Sequence, residues 1–149
     1  TNTAYSFGDD VSMLKDYAWF KDNSNESYKQ VGKKKPNPWG LFDMHGNVSE
    51  WTLDMHDVRA YQKYSDSIAI NPYEKPIKLY PRVVRGGSWI NSNFKLRSAS
   101  RQASSKEWKK RDPQIPRSLW WHTDAKFVGF RIIRPLKTPS LQEQEAYWE

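Results

Sequence analysis

Cysteine is absent from the 149 residues of this chain, which excludes disulfide bonds and any metal site built on thiolates. The chain has three histidines, and their scattered positions lack the spacing of a zinc cluster. No hydrophobic run approaches the ~20 residues that a membrane-spanning helix needs. The sequence therefore predicts neither a disulfide scaffold nor a zinc protein, and it predicts no membrane span.

Aromatic residues are abundant instead, with eight Trp, eight Tyr and six Phe. Each of them buries a large apolar area, and a chain of this length has room for one hydrophobic core. We expect one compact domain in which aromatic anchors are joined by long polar loops.

The net charge is +7, with basic runs at residues 33–35 and 109–111. These runs lack the motif context of a nucleic-acid-binding module. We interpret them as solvated loop charges, with some arginines in structural ion pairs, because net charge alone informs about solubility and loose association. No specific nucleic-acid partner is expected.

Segments with a secondary-structure signal are short. Strands are predicted at residues 51–53, 82–85 and 127–133. The last of these is apolar enough for a central position in a sheet, and Pro135 ends it. Helices are predicted at residues 10–20 and 141–148. Loops, which at such lengths are usually functional or held by ions and side-chain networks, are predicted at residues 54–81 and 98–126.

Three segments carry most of the sequence information, and we call them motif 1, motif 2 and motif 3. They read N-P-W-G-L-F-D-M-H-G-N-V-S-E-W at residues 37–51, R-V-V-R-G-G-S-W at 82–89 and F-V-G-F-R at 127–131. In this order they resemble the motifs of the formylglycine-generating enzyme family, also called the sulfatase-modifying-factor domain. Motif 1 is similar to the family's N-x-x-G-L-x-D-M-x-G-N-V-x-E-W. The resemblance implies an α+β, C-type-lectin-like fold that is rich in loops and has short antiparallel strands.

The resemblance covers residues 1–136 and corresponds to the C-terminal part of a family domain, with residues 137–149 as a tail or short helix. Family domains begin with a further segment that contains R-L-P-T-E-A-E-W-E on a helix. Because a missing segment would leave apolar surface uncovered, we expect this chain to associate with that N-terminal segment or with a protein partner. The resemblance suggests a sulfatase or a glycan as the ligand.

The catalytic centre of the family is missing from this sequence. Active members resemble one another in a C-x4-C pair after motif 2 that holds Cu(I), and here those positions are Asn91 and Leu96. Cu(I) is selected by soft thiolate or thioether ligands, which an amide and an isobutyl group do not supply. We therefore expect a family member without the oxidase centre and without copper.

Motif 1 contains a loop with a carboxylate at each end, Asp43 and Glu50, and a Gly-Asn turn between them. Two carboxylates neutralise a divalent cation, and Ca²⁺ takes six to eight oxygens in a flexible shell. The resemblance implies a calcium ion on these two side chains and on the backbone carbonyls of Gly46 and Val48. Calcium is the predicted cofactor, and a calcium-dependent fold favours a periplasmic or extracellular location.

A second interpretation of the same loop needs no metal. Asp43 would accept hydrogen bonds from turn amides, and Glu50 would pair with a buried arginine such as Arg85 or Arg131. A second family calcium corresponds to the region of residues 16–26, where an Asn-rich surface loop explains the oxygens equally well.

In the family, residues that follow motif 2 line the substrate groove. The resemblance therefore predicts pocket positions at Trp89, Asn91, Ser92 and Asn93. Arg97 and Arg101 match a family R-x-x-x-R pattern, and on a helical turn they would share one face and grip a carboxylate, phosphate or sulfate. The alternative is that they bind Asp112 or Asp124 within the fold.

Trp120, Trp121 and His122 offer a stacking platform for a ligand near this groove. Paired tryptophans in an aromatic-rich domain are more often part of the core, and the sequence leaves both interpretations open.

Three functions are consistent with these residues. The first is a non-catalytic, calcium-stabilised module that binds a protein, peptide or glycan. The second is an oxidase that generates formylglycine in sulfatases, or performs a related oxidation, with ligands supplied by missing sequence or by a partner. The third is a structural subunit of a larger secreted or surface assembly. The absence of both copper ligands favours the first.

Overall fold

The computed structural model of the protein describes residues 2–66, 68–109 and 125–148. Within these ranges regular structure is sparse. The strands are β1 (Ser49–Met55), β2 (Arg82–Arg85), β3 (Arg101–Ala103) and β4 (Val128–Gly129). The α-helices are α1 (Leu14–Tyr17) and α2 (Leu141–Trp148). Short 3₁₀ helices occur at Val11–Met13, Ala60–Tyr64, Asn93–Leu96 and Lys106–Lys109. None of the described helices has the length and apolar character that crossing a bilayer requires.

The four strands form one sheet in the order β3-β2-β1-β4. β1 is antiparallel to β2, and β2 is antiparallel to β3, whereas β4 is parallel to β1. The sheet is therefore mixed, and the expectation of antiparallel strands is wrong for β4. The reason is that a long connection from β3, rather than a tight hairpin, brings β4 to β1, and parallel pairing requires such a crossover.

The strand predictions differ in accuracy. β2 has the predicted bounds and β1 contains the predicted residues, but the prediction for residues 127–133 is too long, since only Val128 and Gly129 pair with β1. Phe130 is 75% exposed and Ile132 is 86% exposed. This apolar segment therefore lies at the edge of the sheet, because among the described residues no strand pairs with the other side of β4.

Local capping explains where the helices begin. The Asp10 carboxylate accepts a hydrogen bond from the Ser12 N–H at 2.9 Å and starts a 3₁₀ turn that continues as α1, so the predicted N-terminal helix is confirmed only over part of its length. α2 has the predicted bounds. Before it, the Ser140 N–H donates to the Glu143 carboxylate at 2.8 Å and the Glu143 N–H donates to Ser140 Oγ at 3.2 Å. This reciprocal pair is a capping box.

The hydrophobic core lies between the N-terminal segment and the 3₁₀ helix that follows motif 2. Its buried members are Tyr5, Leu14, Ala18, Phe20 and Leu96. The Phe7 ring extends this cluster, because it stacks on Tyr17 at 4.3 Å and on Tyr5 at 5.1 Å between ring centroids. Part of the aromatic content thus anchors the core as expected, while Trp39 stays mostly exposed.

Two residues of motif 1, Gly46 and Asn47, join segments that are far apart in sequence. The Gly46 N–H donates to the Gly86 carbonyl at 2.9 Å, and the Asn47 N–H donates to the Trp19 carbonyl at 2.7 Å. The Asn47 carbonyl accepts from the Trp89 N–H at 2.8 Å. Motif 1 is thereby bonded both to the N-terminal segment and to motif 2.

The Asn47 side chain connects a further segment. Its Oδ1 accepts the Lys29 N–H at 2.8 Å, and its Nδ2 donates to the Lys29 carbonyl at 3.0 Å. Asn47 is only 2% exposed and has a φ of 60°, a left-handed conformation that Asn adopts more readily than most residues. These two bonds satisfy the buried amide, which would cost ~1–3 kcal/mol if it were left unpaired.

Gly46→Ala is expected to destabilise the fold strongly. A Cβ at position 46 would lie 2.2 Å from the Trp19 carbonyl oxygen, and Gly46 has a φ of +76°. Gly40 is the matched control, because its φ is +77° and the space around its Cβ position is open. We expect Gly40→Ala to cost only the left-handed backbone strain, ~1–2 kcal/mol, and Gly46→Ala to cost much more. Urea unfolding measures both, and equal losses would contradict the role of the close contact.

Candidate functional site

A cavity of about 430 Å³ lies where motif 1 and motif 2 meet, and we call it the main cavity. Its lining residues are Ser6, Asn37, Pro38, Trp39, Asp43, Met44, His45, Glu50, Arg85, Gly86, Arg97 and Ser98. Apolar surface is thus combined with two carboxylates, two guanidiniums and an imidazole. A concave site with mainly apolar walls and a few convergent polar groups is typical of ligand binding.

His45 is a buried group of this cavity, with 4% exposure. Its Nδ1 lies 2.7 Å from the Leu96 carbonyl oxygen. Its Nε2 lies 2.9 Å from Ser6 Oγ and accepts the Ser6 N–H at 3.1 Å. These partners assign the proton to Nδ1, because a carbonyl only accepts and a backbone N–H only donates. Burial lowers the pKa of His45, against a smaller opposing effect of the Leu96 carbonyl, so the imidazole is held neutral.

Arg131 of motif 3 binds Glu50 of motif 1 through two hydrogen bonds. Nε donates to Oε2 at 2.9 Å, and Nη2 donates to Oε1 at 2.7 Å. The same Nη2 donates to the Phe42 carbonyl at 2.9 Å. The hydrogen bonds to Glu50 raise the pKa of Arg131. A bidentate pair of this kind is among the stronger ionic contacts, and it ties motif 3 to motif 1.

Asp43, at the other end of the loop, is 8% exposed. Its Oδ2 accepts the Gly32 N–H at 2.7 Å, whereas its Oδ1 is buried and has no hydrogen-bond partner among the described residues. A buried carboxylate oxygen without a partner is costly. This atom is the feature of the loop that favours a bound cation.

The predicted calcium ligands fit a metal only in part. Asp43, Val48 and Glu50 line a second cavity of about 450 Å³, but Arg131 lines it too and already occupies the Glu50 carboxylate. The metal-free interpretation expects this pair, although Arg131 is exposed and not buried. Gly46 does not line that cavity. In the described part of the chain, no three acidic or histidine side chains come together as a metal site. Calcium binding at this loop stays a prediction.

The two positions that the resemblance aligns with copper ligands carry structural side chains. Leu96 is fully buried in the core. Asn91 Oδ1 accepts from the Ser88 N–H and from the Ser88 hydroxyl, at 2.9 Å in each case, and closes the turn at the end of motif 2. Neither residue lines the main cavity, and neither offers a soft ligand.

The structure separates the residues predicted to form a pocket. Of the predicted pocket residues that the structure describes, Arg97 lines the main cavity. The others do not: Trp89, Asn91, Ser92, Asn93 and Arg101. Trp89 donates from Nε1 to the Lys126 carbonyl at 3.4 Å. The remaining predictions lie outside the described residues: those for Trp120, Trp121 and His122, and those for Asp112 and Asp124.

The helical turn predicted to align Arg97 with Arg101 is wrong. Arg97 is extended, with φ −60° and ψ 147°, and Arg101 begins β3, whose pairing with β2 overrides the helical spacing. The Arg97 guanidinium lies over the Phe94 ring at 4.0 Å, whereas the Arg101 guanidinium lies over the Tyr61 ring at 4.3 Å. The two arginines line different cavities.

Sequence reasoning misses most residues of the main cavity, and among those it misses are Trp39 and His45. Both occupy positions that the family pattern of motif 1 leaves unspecified, so the motif carries no signal for them. The available signal is that each lies next to a residue that the family pattern fixes, Gly40 or Gly46, because side chains beside such turns can point into a cavity.

Comparison with known proteins decides the family. Residues 2–136 match the family model described as the sulfatase-modifying factor enzyme 1-like domain. The chain belongs to this family. All three motifs and the main cavity therefore lie inside the family domain.

Curated relatives that share part of this sulfatase-modifying-factor domain are much longer than the chain. Serine/threonine-protein kinase pkn1 of Chlamydia pneumoniae is 39% identical over 70 residues, which are 47% of this chain and 11% of the relative. Chaperone protein LppX of Paenibacillus barcinonensis is 33% identical over 79 residues, which are 52% of this chain and 22% of the relative. The chain thus spans a small part of each.

Two solved structures share the fold. Treponema denticola variable protein 1 has a TM-score of 0.61 and 29% identity, over 87% of this chain and 40% of the other. PvdO from Pseudomonas aeruginosa has a TM-score of 0.54 and 22% identity, over 77% of this chain and 38% of the other. Both support a sulfatase-modifying-factor fold with a mixed sheet and few helices.

Burial of a neutral His45 predicts that this domain loses stability as the pH falls. The pKa of His45 is lowered in the folded chain, whereas an unfolded histidine titrates near pH ~6.5, so the unfolded state binds the proton more readily. The stabilisation is fully present above pH ~6.5 and is lost as the pH falls through the lowered folded pKa. Urea unfolding between pH ~8 and pH ~5, above the range of most carboxylates, measures the loss.

His45→Asn is the comparison for that experiment, because its amide can still donate to the Leu96 carbonyl but does not titrate. We expect this variant to be less stable than the wild type at high pH and to show a flatter pH dependence. Parallel curves for the two proteins would contradict the assignment of the neutral imidazole.

Proposed function

We propose that this chain is a non-catalytic member of the sulfatase-modifying-factor family that binds a protein, peptide or glycan. The observation that carries the proposal is the main cavity, about 430 Å³ of concave surface built by motifs 1 and 2. A cavity of this size suits one side chain or one sugar unit of a larger ligand.

The lining of the main cavity supports such a ligand. Pro38, Trp39 and Met44 supply apolar surface, and an exposed indole stacks on a sugar ring or an apolar side chain. Arg85 and Arg97 supply charged donors on the same cavity. The stack of Arg97 on Phe94 fixes its guanidinium, which lowers the entropy lost on binding.

The absence of a thiol supports the non-catalytic part of the proposal. The chain contains no cysteine, and the copper positions are filled by the core residue Leu96 and by the turn residue Asn91. An oxidase would need soft ligands from another segment or chain. Detection of formylglycine in a cysteine-containing sulfatase peptide, after incubation with the protein and copper, would refute this part.

The curated relatives support an accessory role. Their names describe different activities, a kinase and a chaperone, and the matched segment is 11% of one and 22% of the other. We infer a module that larger proteins carry beside their own activities, and we assign neither activity to this chain.

Trp39→Ala is expected to abolish ligand binding without unfolding the domain. The side chain is 84% exposed, so its removal leaves the core intact while taking away the indole surface of the main cavity. Tyr28→Ala is the matched control, because Tyr28 is also exposed, at 60%, and does not line that cavity. Labelled protein applied to a glycan array and to a displayed peptide library measures binding. If both variants still bound the glycans or peptides that the wild type binds, the ligand would not bind in the main cavity.

Calcium stabilisation is a separate part of the proposal, supported by the unpartnered Asp43 Oδ1. Because Arg131 competes for Glu50, we expect Arg131→Gln to bind calcium more tightly than the wild type, as measured by isothermal titration. Asp43→Asn is expected to bind less tightly than the wild type. Equal or weaker binding by Arg131→Gln would show that the loop does not hold calcium through Glu50.

A further inference from the structure

Three charged residues stand in a row across the sheet. Arg101 of β3 is the direct partner of Arg85 of β2, and Arg85 is the direct partner of Glu50 of β1. Directly opposed residues project from the same face, with Cβ atoms roughly 4.5–5.5 Å apart, and like charges in that arrangement destabilise a sheet. The Arg85–Arg101 pair therefore needs a source of negative charge.

Glu50 does not supply that charge, because both of its carboxylate oxygens bind Arg131. Arg85 donates from Nη2 to the Ser98 carbonyl at 2.7 Å and from Nη1 to the Tyr61 hydroxyl at 3.5 Å. Across residues 2–66, 68–109 and 125–148, no carboxylate forms an ion pair with Arg85 or Arg101. In this part of the chain no direct ion pair thus compensates the repulsion between the two guanidiniums.

A small cavity of about 190 Å³ adjoins the pair and is lined by Arg85, Arg101 and Tyr61. Two carboxylates also line it, but each has another partner. Glu74 binds the Lys63 ammonium at 2.6 Å, and Asp54 accepts the Glu74 N–H at 3.1 Å. The Lys63 ammonium compensates the charge of Glu74, whereas a backbone N–H does not neutralise Asp54. Among the described charges of this cavity, two guanidiniums therefore face one carboxylate that has no ion pair.

We propose that Arg85 and Arg101 form a binding site for a single oxyanion group: phosphate, sulfate or carboxylate. A guanidinium presents N–H donors in a planar fork that matches such groups, and an anion between the two arginines replaces their repulsion by attraction. Tyr61 positions both, since its ring lies against Arg101 and its hydroxyl accepts from Arg85. The site goes beyond the proposed function, because its cavity shares only Arg85 with the main cavity.

Isothermal titration of inorganic phosphate into the full chain, at constant ionic strength, tests the site. We expect Arg101→Gln to weaken binding by about tenfold or more, since one charge-assisted contact is lost. Arg134→Gln is the matched control, because it removes the same charge from an exposed position and is expected to bind phosphate like the wild type. A parallel titration with acetate distinguishes a carboxylate site from a phosphate or sulfate site by the relative affinity.

Thermal unfolding in chloride alone gives a second readout. Without an oxyanion the two guanidiniums repel each other, so we expect the melting temperature of Arg101→Gln to equal or exceed that of the wild type. Added phosphate is expected to raise the melting temperature of the wild type more than that of the variant. If Arg101→Gln and Arg134→Gln weakened phosphate binding equally, the loss of one positive charge anywhere on the surface would explain the effect, and the proposal would be overturned. Absence of phosphate and acetate binding by the wild type would also overturn it.

Discussion

The fold depends on the pairing of one side-chain amide, that of Asn47, with the backbone of Lys29. The chain has little regular secondary structure, so most segments cannot satisfy their backbone groups within a helix or a sheet. The Asn47 side chain pairs with the N–H and the carbonyl of Lys29, as a residue of a neighbouring strand would. The adjacent Gly46 has no side chain, and this allows the Trp19 carbonyl to approach closely. Through these two residues the N-terminal segment, the loop around Lys29 and motif 2 meet at one buried point.

The three motifs serve mainly as partners of one another. Gly46 and Asn47 of motif 1 bond to motif 2 through the backbone, and Glu50 of motif 1 binds Arg131 of motif 3. The Ser49 N–H adds a bond to the Phe127 carbonyl at 2.8 Å. The residues that define the family thus hold the framework, whereas the cavity takes its accessible indole from a position that the family pattern leaves open.

The sequence predicts the framework better than the site. Motif order identifies the family, and β2 has its predicted bounds because the Val83-Val84 pair between arginines is a local signal. The apolar run after Gly129 is predicted as a central strand, but periodicity does not show which neighbour, if any, covers it. Arg97 and Arg101 are predicted to share a face from their spacing, yet the sheet pairs Arg101 with Arg85. That partnership depends on a register between distant strands, which no local pattern encodes.

The bonds from Asn47 to Lys29 have a consequence for the variability of the domain. They bind the backbone N–H and carbonyl of residue 29, and every residue except proline, which lacks the N–H, has both groups. The bonds therefore do not depend on the side chain at position 29. The side chain at this position can change in size or charge, while these bonds and the bond from the Gly32 N–H to Asp43 keep the backbone of the segment in place. In a scaffold of this kind, the bonds that hold the fold do not depend on the side chains that the segment presents to solvent.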